Sequence, residues 1–135
     1  ADGLLTSIVA QMLIHAENHL DEGRKIALPR WRLNKVREFV LAHLGEDITL
    51  DEMAAAANLS RRHFARCFFQ EIGQTPYRWV SEQRLDRAKD LLASTDDSLS
   101  DISAACGFSS QSHLTTLLRK QTGLTPSAWR KKFRQ

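Results

Sequence analysis

The stretch Ile102-Ser-Ala-Ala-Cys106-Gly107-Phe108-Ser-Ser-Gln111-Ser-His113-Leu114, running on to Gly123-Leu-Thr125-Pro126-Ser-Ala-Trp129, decides the fold. A short apolar helix ends at Gly107, where glycine takes the left-handed conformation that closes a helix. A second helix restarts within a few residues, with Ser109 or Ser110 able to cap it by accepting an unpaired amide proton. It stops at Gly123. Thr125-Pro126 then caps and opens a third helix, with proline at its first position. Helix, tight glycine turn, helix is a shape that can set one helix in a DNA major groove.

The same pattern occurs earlier. Gly73, Thr75, Pro76 and Trp79 recur as Gly123, Thr125, Pro126 and Trp129, each displaced by 50, and Phe64 and Phe68 become Leu114 and Leu118. Upstream of the turn the displacement is 49: Met53, Ala55, Asn58 and Leu59 match Ile102, Ala104, Gly107 and Phe108. Asn follows Gly in tolerance of the left-handed conformation. One extra residue at the second turn explains the change, and the chain reads as two helix-turn-helix units. Two units are too few for a solenoid.

At 135 residues the chain fits one compact domain, or two small ones sharing a core. Its 42% apolar residues are ordinary for a folded protein, and no apolar run approaches a membrane span. Without a signal-peptide pattern, the chain is expected in the cytoplasm. With no initiator Met and a helical pattern from the first residues, it is expected to be a fragment. Cys67 and Cys106 fit no metal-ligand spacing and read as small buried apolar residues. The net charge of +3 understates the basic character. Asp101 is the last acid, and six Lys or Arg follow it. Arg61, Arg62 and Arg66 cluster on one predicted helix. Such local basic faces suit a polyanion.

In chain order, Leu5, Ile8, Val9, Met12, Leu13, Ala16 and Leu20 give 4–20 a helical apolar face without a partner in its own segment. His15 and His19 are four apart, but Ala16 stands where a His-Glu-x-x-His site needs its Glu, so no metal is expected. Residues 21–30, with Gly23 and Pro29, read as a linker. Trp31 to Leu44 is the next helix, with Leu33, Val36, Phe39, Val40 and Leu44 inward and Gly45 as its stop. Thr49-Leu-Asp-Glu52 is a capping box ahead of Met53 to Ala57, and Ser98-Leu-Ser-Asp101 is the same signal in the second unit. Thr75 to Ala93 is a long helix whose Tyr77, Val80, Leu85, Ala88, Leu91 and Leu92 form a core face. At ~1.5 Å per residue it spans about 25–30 Å, near the ~34 Å between successive major grooves. DNA bending would supply the remainder.

Asn58-Leu-Ser-Arg-Arg-His63-Phe64 through Gly73-Gln-Thr-Pro76, with Arg84-Leu85, Ala88 and Leu91-Leu92, resembles the AraC/XylS family of bacterial transcription regulators. So does Ile102 to Leu114 with Gly123-Leu-Thr-Pro126. The resemblance covers about residues 31–133. It implies an all-α domain of about seven helices, two helix-turn-helix subdomains joined by a linker helix, here with an extra N-terminal helix. The expected division is 1–30 as helix and linker, and 31–135 as the DNA-binding domain. Within the latter fall the first helix-turn-helix (49–73), linker helix (75–93), second helix-turn-helix (98–123) and C-terminal helix (125–134). It also implies a sensor or dimerisation domain N-terminal to this region in the full protein, with 4–20 as its tail.

Family members read bases from the second helix of each unit. The matching positions here are Arg62, Ala65 and Arg66 in the first unit, and Gln111, Ser112, Thr115 and Thr116 in the second. Arg suits guanine N7 and O6, and Gln suits adenine N6 and N7. Thr116 stands where the family often has a basic residue, and Leu114 and Leu118 where it often has Phe. The first unit is therefore expected to carry more of the specificity. Ser60, Arg61, Ser109, Ser110, His113, Arg119, Lys120, Arg130, Lys131 and Lys132 are the candidates for phosphate contacts, which fix register without reading sequence. For Ser60 and Ser109, helix capping is an equal alternative. Phe64, Phe68, Leu114, Leu118, Trp79 and Trp129 are expected in the core.

The expected partners are double-stranded operator DNA and RNA polymerase, with no membrane and no cofactor. A helical protein-interaction module is the alternative reading, but it has no need of two matched turns. Enzymatic function is not expected, because no Gly-rich phosphate loop, paired carboxylates or nucleophile-base constellation occurs. The family pattern also occurs fused to alkyl-transfer repair activity, yet neither cysteine has a reactive setting.

Overall fold

The computed structural model describes residues 28–135. The helix expected over 4–20, its His15 and His19, and residues 21–27 of the expected linker lie outside them, while Arg30, expected in the linker, already begins a helix. Among the described residues there are seven helices and no strand: α1 (Arg30–Ala42), α2 (Leu50–Ala56), α3 (Arg61–Ile72), α4 (Pro76–Ser94), α5 (Leu99–Ala105), α6 (Gln111–Thr122) and α7 (Pro126–Phe133). None is long and apolar enough to cross a membrane. The described chain falls into two compact units. One holds the residues up to Ala42 together with Ile48–Trp79; the other holds His43–Asp47 and Val80–Gln135.

In the first unit, α2 is short because its start and stop are both written locally. The Thr49 hydroxyl accepts the Glu52 amide proton (3.1 Å) and donates its own to the Glu52 carboxylate (3.1 Å). At the other end Asn58 adopts φ 58°, the one non-glycine residue with positive φ among those described. Its amide donates to the Ala55 carbonyl and the next amide, Leu59, to Ala54. This pair of reversed bonds satisfies carbonyls that a helix end otherwise leaves bare. Arg32 completes the job from α1. Only 9% exposed, it donates to the Ala57 and Asn58 carbonyls, both at 3.2 Å. A cation at the negative end of a helix is favoured electrostatically as well as by hydrogen bonding. Around this turn Val36, Val40, Met53, Ala54, Phe64, Cys67, Phe68 and Trp79 are buried. Phe68 stands edge-on to Trp79, with centroids 5.7 Å apart.

The second unit repeats the local grammar. Ser98 caps α5 by accepting from Asp101. Gly107 has φ 82°. The Gly107 amide donates to Ala104 and the Phe108 amide to Ser103, bond for bond the first turn displaced by 49. Ser60 caps α3 and Ser110 caps α6, each accepting from the histidine three residues on, so Ser109 is the extra residue of the second turn. Gly73 and Gly123 end α3 and α6 at φ 80° and 78°, each donating its amide 2.8 Å to the carbonyl four back. Leu85, Ala88, Leu92, Ile102, Cys106, Phe108, Leu114 and Leu118 form the core, flanked by Leu91, Leu99, Leu117 and Trp129.

Two arginines close helix ends here too. Arg84 donates to the carbonyls of Leu44 (3.2 Å) and Glu46 (2.9 Å), just beyond the end of α1. Arg130 donates to Leu92 (3.0 Å) and Asp97 (2.6 Å), at the end of α4. Arg134 and Asp96 pair beside it. The Trp129 indole donates to the Lys89 carbonyl (3.2 Å) while its ring lies tilted against Phe133, with centroids 4.1 Å apart.

One core assignment is corrected. Tyr77 is 70% exposed rather than part of the α4 core face. Periodicity fixes its angle around the helix; it does not supply a neighbour at its height along the axis, one residue from the helix start. Helix α1 also stops at Ala42, two residues short of the Leu44 expected from sequence.

The glycines divide by surroundings. A Cβ at Gly123 or Gly73 meets nothing within 4 Å, whereas one at Gly107 overlaps the Leu44 carbonyl oxygen. Gly123→Ala is therefore expected to cost about 1–2 kcal/mol, the left-handed strain alone. Gly107→Ala adds overpacking against a backbone atom that cannot step aside, for a total of about 2–5 kcal/mol. Urea denaturation of the two variants measures the difference.

Candidate nucleic-acid interface

Helix α3 buries His63, Phe64, Cys67 and Phe68. At about 100° per residue, these occupy roughly 100–240° around the axis from Arg62. On the opposite side Ala65, Phe69 and Arg66 lie at about −60°, −20° and +40° from Arg62. Arg62, Arg66 and Phe69 are exposed and Ala65 half-buried. The three residues expected to read bases in this unit thus share one stripe, directly across from the core. Glu71, the only acid of α3, sits about 180° from Arg62.

Helix α6 has the same construction. Leu114 and Leu118 are buried; Ser112 and Thr116 are exposed and Thr115 half-buried, on one stripe. Gln111 is exposed at the first position of the helix, about 100° around from Ser112 and so at the edge of that stripe. The structure brings Ser112, Thr115 and Thr116 together and sets Gln111 apart, near the amino end.

The residues expected at phosphates are scattered around these stripes. Ser60 and Ser110 have their hydroxyls engaged as helix caps. The start of each helix offers further amides to an anion. Arg61 is exposed, with its Nε 4.0 Å from the Asp51 carboxylate, a surface pair of little strength. Ser109 Oγ lies 3.3 Å from His113 Nδ1, and His113 packs edge-on against Phe108. Arg119 and Lys120 are exposed in the last turn of α6, where they also favour the helix dipole. Lys131 and Lys132 are exposed on α7. Arg130 differs from its neighbours: its guanidinium is taken up by the Leu92 and Asp97 carbonyls, which gives it a structural task that the sequence did not announce.

Both cysteines are fully buried. Burial pushes the Cys106 thiol up, with the Arg87 charge opposing, so its neutral, unreactive form is favoured.

Two features of the described residues escaped sequence reading. Arg32 was one Arg among many, and nothing local marks it as bound to carbonyls 25 and 26 residues away. Phe69 is 55% exposed; its place was legible, seven residues after Arg62 and paired with Arg119 by the displacement of 50, but its exposure was not.

The sequence profile described as a helix-turn-helix domain matches residues 53–132. The HTH-type transcriptional activator RhaS of Klebsiella pneumoniae is 36% identical over 95 residues, 70% of this chain. The chain spans 34% of the length of that regulator. The crystal structure of a transcriptional regulator with an AraC-type DNA-binding domain from Chromobacterium violaceum matches with a TM-score of 0.72 at 34% identity, covering 77% of this chain and 93% of the other. The DNA-binding domain of AdpA, a global transcriptional factor crystallised with a target DNA, gives 0.69 at 35% identity, covering 76% and 92%. With the paired turns, the serine-capped second helices and these likenesses in agreement, the chain belongs to the AraC-type helix-turn-helix family.

Proposed function

We propose that this chain binds double-stranded DNA sequence-specifically to regulate bacterial transcription, each unit presenting its second helix to a major groove. The observation that carries the proposal is the doubled stripe. Two helices, α3 and α6, each turn a short stripe outward, carrying Arg62 and Arg66 on α3 and Ser112, Thr115 and Thr116 on α6, opposite their buried residues and behind the same turn. An interaction module needs neither the duplication nor the match in phase. In this reading Arg62, Ala65, Arg66, Gln111, Ser112, Thr115 and Thr116 meet base edges in successive major grooves. Ser60, Arg61, Ser109, Ser110, His113, Arg119, Lys120, Lys131 and Lys132 hold phosphates. Arg130 serves the fold first, because satisfying a phosphate would strip two carbonyls of their donor.

The chain's part is recognition, not catalysis. The whole protein carries a sensor or dimerisation domain ahead of it, acts in the cytoplasm and touches RNA polymerase; the short span relative to the Klebsiella activator supports the first of these. Activation is the direction suggested by that relative's name.

Selecting bound duplexes from a random library at fixed salt tests the proposal: a defined consensus is expected, and recovery of unselected sequence would refute it. On the selected duplex, affinity is expected to fall with salt on a log–log slope of roughly −0.9 per phosphate neutralised. A flat plot would contradict phosphate contact. Arg62→Ala is expected to cost about 1–3 kcal/mol and to relax preference at one base pair; a uniform loss on all sequences would move Arg62 to the backbone. Single-base substitutions are expected to cost more in the half-site under α3 than in that under α6, because Arg forms bidentate pairs that Ser and Thr cannot. Competition binding across the substituted set ranks the two halves.

A further inference from the structure

The α3 stripe has an aromatic ring at its centre. Phe69 lies between Ala65 and Arg62 in angle, about 20° from Arg62 and about 60° from Arg66, and its side chain is 55% exposed. Its neighbours Phe64 and Phe68 are fully buried, so the core of this unit is already supplied with rings. Leaving a benzyl group in water is unfavourable in proportion to its apolar area, and on α3 the exposed ring is continuous with the stripe of Arg62, Ala65 and Arg66.

The position matched in α6 sharpens the point. There the same place on the stripe holds Arg119, an exposed cation. Arg119 can neutralise a phosphate; a phenyl ring cannot accept or donate a hydrogen bond. The two units therefore use one geometric position for different chemistry. In the major groove, the apolar feature open to such a ring is the thymine 5-methyl group, which marks one strand of an A·T pair.

We propose that Phe69 is a specificity-determining residue that packs on a thymine methyl in the half-site under α3. This rests on the DNA reading above. Phe69 is seven residues from Arg62, about 10.5 Å along the axis, or roughly three base-pair steps of ~3.4 Å. The half-site thus carries a guanine under Arg62 and a thymine about three base pairs away, displaced toward the carboxyl end of α3. A protein partner seated on Phe69 would cover Arg62 and Arg66 as well, which disfavours that occupant.

The experiment uses the 135-residue chain and its library-selected duplex. The base read by Arg62 is located from the Arg62→Ala preference change. Each thymine in that half-site is then replaced in turn by uracil, which removes the methyl and nothing else. One replacement, two to four base pairs from the Arg62 base, is expected to weaken wild-type binding about three- to fivefold, the worth of one buried methyl. The same replacement is expected to have no effect on Phe69→Ala and to keep part of its effect on Phe69→Leu. Helical circular dichroism shows whether the variants are folded, and the uracil scan of the wild type reads out independently of them. Equal uracil effects in wild type and Phe69→Ala, or no uracil effect in that window, overturn the assignment while leaving the DNA reading intact. Unchanged DNA binding by Phe69→Ala together with lost reporter activation assigns the ring to a protein and also overturns it. A wild type that selects no sequence overturns both.

Discussion

The fold depends on one backbone requirement, met twice: a residue in the left-handed conformation that stops a short helix and turns the chain within two positions. Asn58 and Gly107 meet it. Each turn is closed by the same two amide-to-carbonyl bonds. Because the carbonyls of α2 and α5 are satisfied at the turn, the following helix can begin at once under a serine cap. The direction of α3 and α6 is therefore set by bonds spanning a few residues, and their apolar faces follow into the core of each unit.

A second device works at longer range. Helices α1, α2 and α4 have no basic residue in their last turns. Arg32, Arg84 and Arg130 supply cations to the bare carbonyls at or just past those ends, from 25 to 40 residues away. A planar guanidinium with several donors can bridge two carbonyls where a lysine would reach one. The arrangement separates two sets of arginines. Those on the α3 stripe point outward on a face without acids, while these three hold the framework.

Much of this was legible in the residues. The displacement of the repeat changes from 50 to 49 across the second turn, and the structure assigns the difference to Ser109, which precedes the cap. Asn58 in place of glycine, the Thr49 and Ser98 caps, the proline starts and the buried cysteines all express chemistry confined to one turn of helix, which a linear pattern records. Tyr77, Arg32 and Arg130 depend on what stands opposite them in space. A helical period gives an angle only, so it assigned Tyr77 to a core face with no neighbour to cover it. A basic run at Arg130-Lys131-Lys132 looks uniform on paper, yet its first member is occupied by Leu92 and Asp97. Phe69 belongs between these cases: its position was readable from the repeat, its exposure was not.

The stripe lies about 180° from the buried side of α3, and this has an evolutionary consequence. Side chains at 62, 65, 66 and 69 can be exchanged without altering the hydrophobic interior or the hydrogen bonds that close the turn. Under the proposed DNA reading, binding preference and thermodynamic robustness are thereby nearly orthogonal traits. In that reading a lineage can drift to new target sequences by point changes on one side of a single helix, with no compensating repair in the described core.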